Sequence, residues 1–218
     1  MILFVIFPAI IIAVAGYNCP GGKLTSLERE QTVTQINKFR SQLANGKLKN
    51  KDRGLMPKSK NMMEMRWSCK LENSAQNWAD QCALRHSSEN QRVEIGENIN
   101  GFRSSRSVEV FNASAAMHPV EWWWSQLTKS YRNNPSNTLT PDVYSHGQDV
   151  LYFTQLAWGK TDKVGCGVAM HCDGGNALFV VCHFAPRREL IYERGIPCKA
   201  DKHCRTKRCS RESGLCRK

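Results

Sequence analysis

The strongest constraint on this chain is its ten cysteines, which are spread over only 218 residues. An even number of cysteines behind an export signal predicts a fold stapled by disulfides in an oxidising compartment. Structural zinc is the alternative for clustered cysteines. However, the chain has no C-x2-C pair, and its last four cysteines are spaced more widely than zinc fingers favour. We therefore predict disulfides at Cys19, Cys69, Cys82, Cys166, Cys172, Cys182, Cys198, Cys204, Cys209 and Cys216.

The N-terminus is typical of an export signal, although no basic residue precedes its apolar run. That run extends from Ile2 to Ala15 and ends in small residues that suit a signal peptidase. It is shorter than the roughly 18 residues of a membrane-spanning helix. A buried N-terminal helix is the alternative, but the run lacks a polar face. We predict that residues 1–16 are a removed signal peptide and that the mature protein is secreted, soluble and not inserted in a membrane.

The positive net charge of the chain indicates which classes of binding partner it favours. A net charge of +12 favours anionic surfaces, cell-surface polysaccharide or acidic protein patches, although a basic surface is also often a matter of solubility. Nucleic acid is a poor partner for an exported protein.

The segment 195–218 holds four cysteines and many basic residues with little apolar periodicity. We predict a main domain over residues 17–194 and a small disulfide-knotted extension over residues 195–218.

The middle of the chain predicts an α+β domain. Apolar spacing predicts helices over residues 28–43, 71–85 and 120–131. Short apolar runs over residues 164–170 and 177–184 predict two strands, and Asp173-Gly174-Gly175 between them predicts a hairpin turn. Helices early and strands late indicate separate helical and sheet layers.

Several motifs occur in a recognisable order along the chain. They are His86-Ser87, Gly96-Glu97-Asn98, Phe153-Thr154-Gln155-Leu156-Ala157-Trp158, Val164-Gly165-Cys166-Gly167-Val168 and Phe179-Val180-Val181-Cys182-His183-Phe184-Ala185-Pro186. Together they resemble the CAP superfamily of cysteine-rich secretory, antigen 5 and pathogenesis-related-1 proteins, over roughly residues 25–190. The Gly-Asn that usually closes the last motif is replaced by Arg188-Glu189. The C-terminal pattern resembles the activation-associated secreted proteins of parasitic nematodes.

This resemblance implies a fold and a set of disulfides. The fold is a three-layer α-β-α sandwich with a cysteine-rich C-terminal extension. The implied bridges are Cys82 with Cys172, Cys166 with Cys182, and Cys19 with Cys69. The four cysteines of the extension would pair among themselves, in an order that the sequence does not give.

The resemblance also implies a central cleft, which in many CAP proteins presents two histidines and two glutamates and sometimes a divalent metal. His86 and Glu97 match the first of each. Gln126 stands where the second glutamate is usual, and Tyr152 stands where the second histidine is usual; His146 is six residues from that place. Glutamine and a protonated phenol are poor zinc ligands. We predict a degenerate cleft with no metal and no cofactor, in which His86 and Glu97 form a structural hydrogen bond.

The sequence gives little support for catalysis. Ser125, His86 and Glu97 could be drawn together as a hydrolase triad, but the chain has no G-x-S-x-G motif. An even cysteine count leaves no obvious free thiolate for a cysteine protease. We therefore predict that the protein is not an enzyme.

Three binding hypotheses remain. The resemblance implies a parasite effector that binds a host cell-surface receptor, with an integrin suspected, and inhibits leukocyte or platelet adhesion; the chain has no Arg-Gly-Asp or Lys-Gly-Asp motif. The alternative is a carrier of sterol or fatty acid, although residues 133–152 supply few aromatics. Channel binding through the extension is weaker because the extension is short. Asn112 is the only N-x-S/T acceptor and so a candidate glycosylation site.

Overall fold

The computed structural model describes residues 17–105, 107–108, 117–134, 136–145, 148–187 and 190–218. The predicted signal peptide, the candidate glycosylation site Asn112, His146 and the Arg188-Glu189 pair lie outside these residues. None of the described helices is both long and apolar enough to cross a membrane.

The described residues form five α-helices, in chain order α1 Ser26–Ala44, α2 Cys69–Ala79, α3 Met117–Lys129, α4 Pro141–Ser145 and α5 Gln148–Ala157. Helix α1 begins with a capping box, because the Thr25 side chain and the Glu28 carboxylate satisfy each other's backbone N–H groups. The predicted helix over residues 71–85 ends six residues early. The chain leaves helical geometry after Ala79, and Cys82 has a φ of 55° that an α-helix does not accommodate.

Four strands form one mixed sheet: β1 Arg66–Trp67, β2 Gly96–Arg103, β3 Lys163–Cys172 and β4 Ala177–Ala185, in the order β1-β3-β4-β2. The predicted hairpin joins β3 to β4 through a short 3-10 turn over Asp173–Gly175. Strand β2, which the sequence pattern did not predict, is antiparallel to β4 at the edge of the sheet.

The sheet separates two helical layers. Helices α1, α3 and α5 share one core cluster with Val180, Cys182 and Phe184, whereas helix α2 shares the other with Phe179 and Val181. These five residues alternate along β4, as the two faces of a strand require. The three-layer α-β-α sandwich is therefore confirmed.

Helix α2 lies unusually close to the sheet. A Cβ atom on Gly165 would come within 2.1 Å of the backbone nitrogen of Glu72, and one on Gly167 within 2.3 Å of the Cα of Gln76. The helix is also tethered at both ends. Its first residue, Cys69, is bridged to Cys19, and Cys82, three residues beyond its last turn, is bridged to Cys172.

All ten cysteines are in disulfides. The structure contains the three bridges that the resemblance implied, and the extension contains Cys198–Cys209 and Cys204–Cys216. A two-stranded ribbon, β5 Cys209–Ser210 and β6 Leu215–Cys216, forms within this extension. The extension also contacts the main domain, because the backbone N–H of Cys216 donates to the Met62 carbonyl and the Ser41 hydroxyl donates to the Ser213 carbonyl.

Candidate functional site

The centre of the candidate site is the carboxylate of Glu97, which is shielded completely from solvent. Its Oε1 accepts from the Nδ1 of His86 at 2.9 Å and from the backbone N–H of Ser87 at 2.9 Å. Its Oε2 accepts from the Ser87 hydroxyl at 2.8 Å and from the Nε2 of His183 at 3.0 Å. A carboxylate offers about four lone-pair positions. All four are therefore occupied by donors from the protein.

This surrounding lowers the pKa of Glu97. Burial alone would raise it, but the hydrogen bonds from His183, His86 and Ser87 stabilise the charged form and prevail. The guanidinium Nε of Arg92 lies 3.8 Å from Oε1 and adds positive charge on the same side. Glu97 is thus held as a buried anion.

His183 is a member of this network that sequence reasoning missed. It is the register partner of Glu97 in the pairing of β2 with β4, so the two side chains lie on the same face of the sheet. Its other ring nitrogen, Nδ1, lies 2.7 Å from the hydroxyl of Ser74 on α2. The signal that could have found it was the alternation along β4, which places His183 on the face opposite Phe184.

Ser74, His183 and Glu97 form a chain that has the residue types of a hydrolytic triad. However, the Ser74 hydroxyl also lies 3.0 Å from the Leu71 carbonyl within its own helix, which competes with His183 for the single hydroxyl proton. Ser74 lines neither of the two cavities that His86 and Tyr152 line. The arrangement fastens α2 to the sheet.

The structure brings three of the four predicted cleft residues together. His86, Glu97 and Tyr152 line one cavity, and the rings of His86 and Tyr152 are 6.4 Å apart. Gln126 does not line it. Its side chain is buried, and its Oε1 accepts from the backbone N–H of Phe153 at 3.1 Å.

The donor set does not fit a metal ion. Glu97 has no free lone pair, one nitrogen of His86 is engaged with Glu97, and Gln126 is turned to the backbone of α5. Burial and the nearby Glu97 raise the pKa of Tyr152, so its phenol stays protonated. Two other clusters of three metal-ligating side chains occur among the described residues, and their cysteines are already in disulfides.

Two cavities adjoin at the His86–Tyr152 pair. One has a volume of about 170 Å³ and lies between the start of β2 and helix α5. The other is a groove of about 580 Å³, lined by Leu84, Phe102 and Trp122 among others. These three apolar side chains are 65%, 45% and 48% exposed, which is unusual for their type. We call them the apolar patch.

The tryptophan run of α3 explains part of this patch. Consecutive helical residues point about 100° apart. Trp123 is therefore fully buried and Trp124 stacks on Phe39 at 4.9 Å, while Trp122 faces the groove. Two of the three tryptophans therefore belong to the core, and one lines the groove.

This chain is a small α+β domain with three layers. Disulfides hold it together, and an open cleft lies beside the edge strand β2. The chain belongs to the CAP, cysteine-rich secretory protein family, whose profile matches residues 33–184.

Individual relatives agree with this placement. A solved structure of BmVAL-1 is 54% identical, with a TM-score of 0.88 over 93% of this chain and 99% of that one. A crystal structure of NaASP2 with Zn²⁺ is 32% identical, with a TM-score of 0.76 over 91% of this chain and 100% of that one. Ancylostoma secreted protein from Ancylostoma caninum is 33% identical over 91% of this chain, which spans 46% of that protein's length.

Proposed function

We propose that this protein is a secreted, non-enzymatic effector that binds a host cell-surface receptor of the integrin type and inhibits adhesion or aggregation of leukocytes or platelets. The observation that carries the proposal is the apolar patch of Leu84, Phe102 and Trp122. It lies beside a cleft in which the carboxylate of Glu97 already accepts hydrogen bonds from the protein at every lone pair. Exposed apolar patches with a polar rim mark protein interaction sites, and aromatic side chains dominate the binding energy of such sites.

The surroundings of the patch support a protein partner. Arg85 lines the same groove, so the rim of the patch carries a basic residue. With a net charge of +12, this rim favours a partner with an acidic surface. Because the chain has no Arg-Gly-Asp motif, the contact would be made by this surface rather than by a mimic of an integrin ligand.

The hydrogen bonding of Glu97 supports the non-enzymatic part of the proposal. A general base needs a lone pair that can accept a proton from the substrate. Each lone pair of Glu97 already accepts from His86, Ser87 or His183. The hydrogen bonds of this site therefore shape a surface rather than activate a nucleophile.

The alternative function is carriage of a sterol or fatty acid. The groove of about 580 Å³ has apolar walls, including Ile99 and Phe102, which favours this alternative. Phe102 and Trp122 are nevertheless about half exposed, whereas ligand pockets bury most of their ligand. We therefore rank the receptor above the lipid.

The test compares the wild type with the double variant Phe102→Ala/Trp122→Ala in binding to host leukocytes and platelets at physiological salt. We expect saturable wild-type binding that receptor antibody displaces and heparin does not. We expect the variant to bind about 10- to 100-fold more weakly, as the loss of two hot-spot residues predicts.

Ile196→Ala is the matched control, because Ile196 is 72% exposed on the extension and lies outside the patch. If Ile196→Ala loses as much cell-binding affinity as the double variant, or if heparin displaces the wild type, the binding is nonspecific electrostatic attraction of a basic protein. If solvent extraction of the native protein instead yields a stoichiometric lipid and the cells are unaffected, the carrier function replaces the receptor function.

A further inference from the structure

The outer edge of β2 is open over its second half. Strand β2 is the last strand of the sheet, so no other strand of the described residues pairs with its outer side. The backbone N–H of Ser104 donates at 2.9 Å to the carbonyl of Asn176, the residue that the β2–β4 register places opposite it. Hydrogen-bonded pairs alternate along antiparallel strands, so the even-numbered residues of β2 bond to β4. The backbone N–H and C=O groups of the odd-numbered residues, including Gly101 and Arg103, therefore point away from β4.

A side chain closes this edge at Ile99 but not beyond it. The indole N–H of Trp123 donates to the Ile99 carbonyl at 3.3 Å, which agrees with the outward direction of the odd-numbered residues. Gly101 and Arg103 are exposed, and no described residue forms a hydrogen bond with their backbone N–H or C=O groups. An edge strand with free donors and acceptors at alternate positions is a template for pairing with another chain.

The groove of about 580 Å³ follows this open edge, since residues 99–102 of β2 line it. Leu84 walls the groove on the sheet face that packs against α2, because a Cβ atom on Gly101 would point to that face and come within 2.7 Å of the Leu84 Cδ1. Trp122 of α3 walls it on the other face, to which Phe102 also points. A strand added at the edge would lie between these two walls.

The wall on the α2 face also carries a basic side chain. Arg85 lines the groove, and its guanidinium lies 5.9 Å from the centre of the Trp78 ring of α2. Arg85 is exposed and forms no ion pair with any described residue. A second copy of the chain would bring another net charge of +12 to this edge, which opposes pairing of β2 with itself. Charge therefore favours an acidic segment of a different protein.

We propose that the partner adds an extended, acidic peptide segment to the outer edge of β2 as a further strand of the sheet. Its backbone pairs with the N–H and C=O groups of Gly101 and Arg103. Its side chains alternate between the two faces, with apolar ones against Trp122 and acidic ones towards Arg85. Main-chain hydrogen bonds and alternate side-chain contacts are the two parts of recognition by strand addition. This mode of binding rests on the receptor function and specifies the part of the receptor that the groove takes.

Proline at the edge tests the backbone contact without removing a bond to β4. The N–H groups of Gly101 and Arg103 point away from β4, and an edge strand tolerates proline at such positions. Arg103→Pro and Arg103→Ala both remove the ion pair with Asp173, but only proline removes the N–H. We expect Arg103→Pro to bind host leukocytes and platelets at least about tenfold more weakly than Arg103→Ala, its matched control.

Gly101→Pro and Gly101→Ala form a second matched pair. Both add a Cβ atom against Leu84, and again only proline removes the outward N–H. Each variant is first checked for a native near-ultraviolet circular dichroism spectrum. If Arg103→Pro misfolds, the pair at Gly101 decides.

An octapeptide of alternating valine and glutamate, blocked at both ends, tests the edge without a receptor. In ¹⁵N-labelled full-length mature protein it should shift the amide signals of Gly101 and Arg103 and slow their exchange with solvent, with a dissociation constant of about 1 mM. Alternate amides of a strand face the same side. Of two peptides N-methylated at all valines or at all glutamates, only one should therefore lose binding.

Four outcomes would overturn strand addition. They are equal cell binding within both proline–alanine pairs, unmoved Gly101 and Arg103 signals in the peptide titration, and equal binding of the two methylated peptides. The fourth is a dimer in sedimentation that Arg103→Pro abolishes and Arg103→Ala does not, because it would show that a second copy takes the edge. Absence of saturable wild-type binding to cells would contradict the receptor function alone, and the peptide would still decide whether the edge accepts a strand.

Discussion

Glu97 and His183 face each other across the antiparallel pair of β2 and β4, with their side chains joined at 3.0 Å. The contact links the edge strand to the centre of the sheet through side chains as well as through the backbone. Through Ser74, His183 also extends the link to α2, so one carboxylate organises three elements of the fold.

Removing the charge of Glu97 should therefore destabilise the whole domain. In Glu97→Gln, an NH2 group replaces one carboxylate oxygen. This NH2 group is a hydrogen-bond donor and faces other donors, so those hydrogen bonds are lost. We expect a loss of about 2–3 kcal/mol in the free energy of unfolding, the scale of hydrogen bonds to a buried charge. Urea unfolding measures it, with the exposed Glu212→Gln as control. A loss equal to that of the control would show that the network has no stabilising role.

The same network predicts how stability depends on pH. The pKa of Glu97 is lower in the folded protein than the value of about 4.3 in an unfolded chain. The charged form thus contributes stability that is fully present above about pH 5 and is lost as the pH falls towards the folded-state pKa. The difference in unfolding free energy between wild type and Glu97→Gln should shrink between pH 6 and about pH 3. If the difference in unfolding free energy stays constant over this pH range, the ionisation of Glu97 does not contribute to stability.

Zinc binding should be weak. With Glu97 saturated and Gln126 turned to the backbone of Phe153, we expect a dissociation constant above about 1 µM by calorimetric titration. Elemental analysis of protein purified without chelators should find less than one zinc per chain. Gln126→Glu/Tyr152→His introduces the two residue types that the family usually has at these positions and should bind zinc more tightly than the wild type, mainly through the new imidazole at position 152, which lines the cavity. Stoichiometric zinc at sub-micromolar affinity in the wild type would contradict the assignment of the cleft.

Gly96 should not tolerate a side chain. In Gly96→Ala the new methyl group overlaps the amide of Gln155, and we expect a loss of about 1–3 kcal/mol in the free energy of unfolding. Gln155→Ala removes the obstacle, so the double variant should lose less than the sum of the two single variants. Strict additivity in thermal or urea unfolding would mean that the two residues do not compete for space.

The extension should be released by proteolysis as a bridged fragment. Because Cys198 pairs with Cys209 and Cys204 with Cys216, cleavage near Gly195 leaves no covalent link to the main domain. Mass spectrometry of a partial digest under denaturing, non-reducing conditions should find this fragment with both bridges intact. A bridge from any of these four cysteines to Cys19 or Cys69 would overturn the proposed boundary at residue 195.

The elements that follow from the local sequence pattern could be predicted. The elements that depend on pairing between distant strands could not. Helix α1 and the β3–β4 hairpin carry their periodicity and turn residues in the sequence. Strand β2 contains Gly96, Asn98, Asn100 and Gly101, which have low strand propensity, and it forms because β4 offers it an edge.

The same distinction applies to the site. His86 and Glu97 were identified through motifs that surround them. His183 becomes part of the network only through the register of β2 on β4, which a single sequence does not express. The orientation of Gln126 depends likewise on where α5 packs against α3, since its amide is fixed by the Phe153 backbone.

The tethering of α2 anchors the start of the segment that leads to His86. Disulfides fix the helix near both ends, and the glycines at 165 and 167 let it lie against the sheet without a gap. His86, four residues beyond the bridged Cys82 and hydrogen-bonded to Glu97, is therefore held in place on one side of the cleft. Any reshaping of the cleft around a partner must come from the opposite wall, where Tyr152 and Leu151 lie on α5, a helix without a disulfide. Relatives that differ in partner should accordingly differ along α5 before they differ along α2.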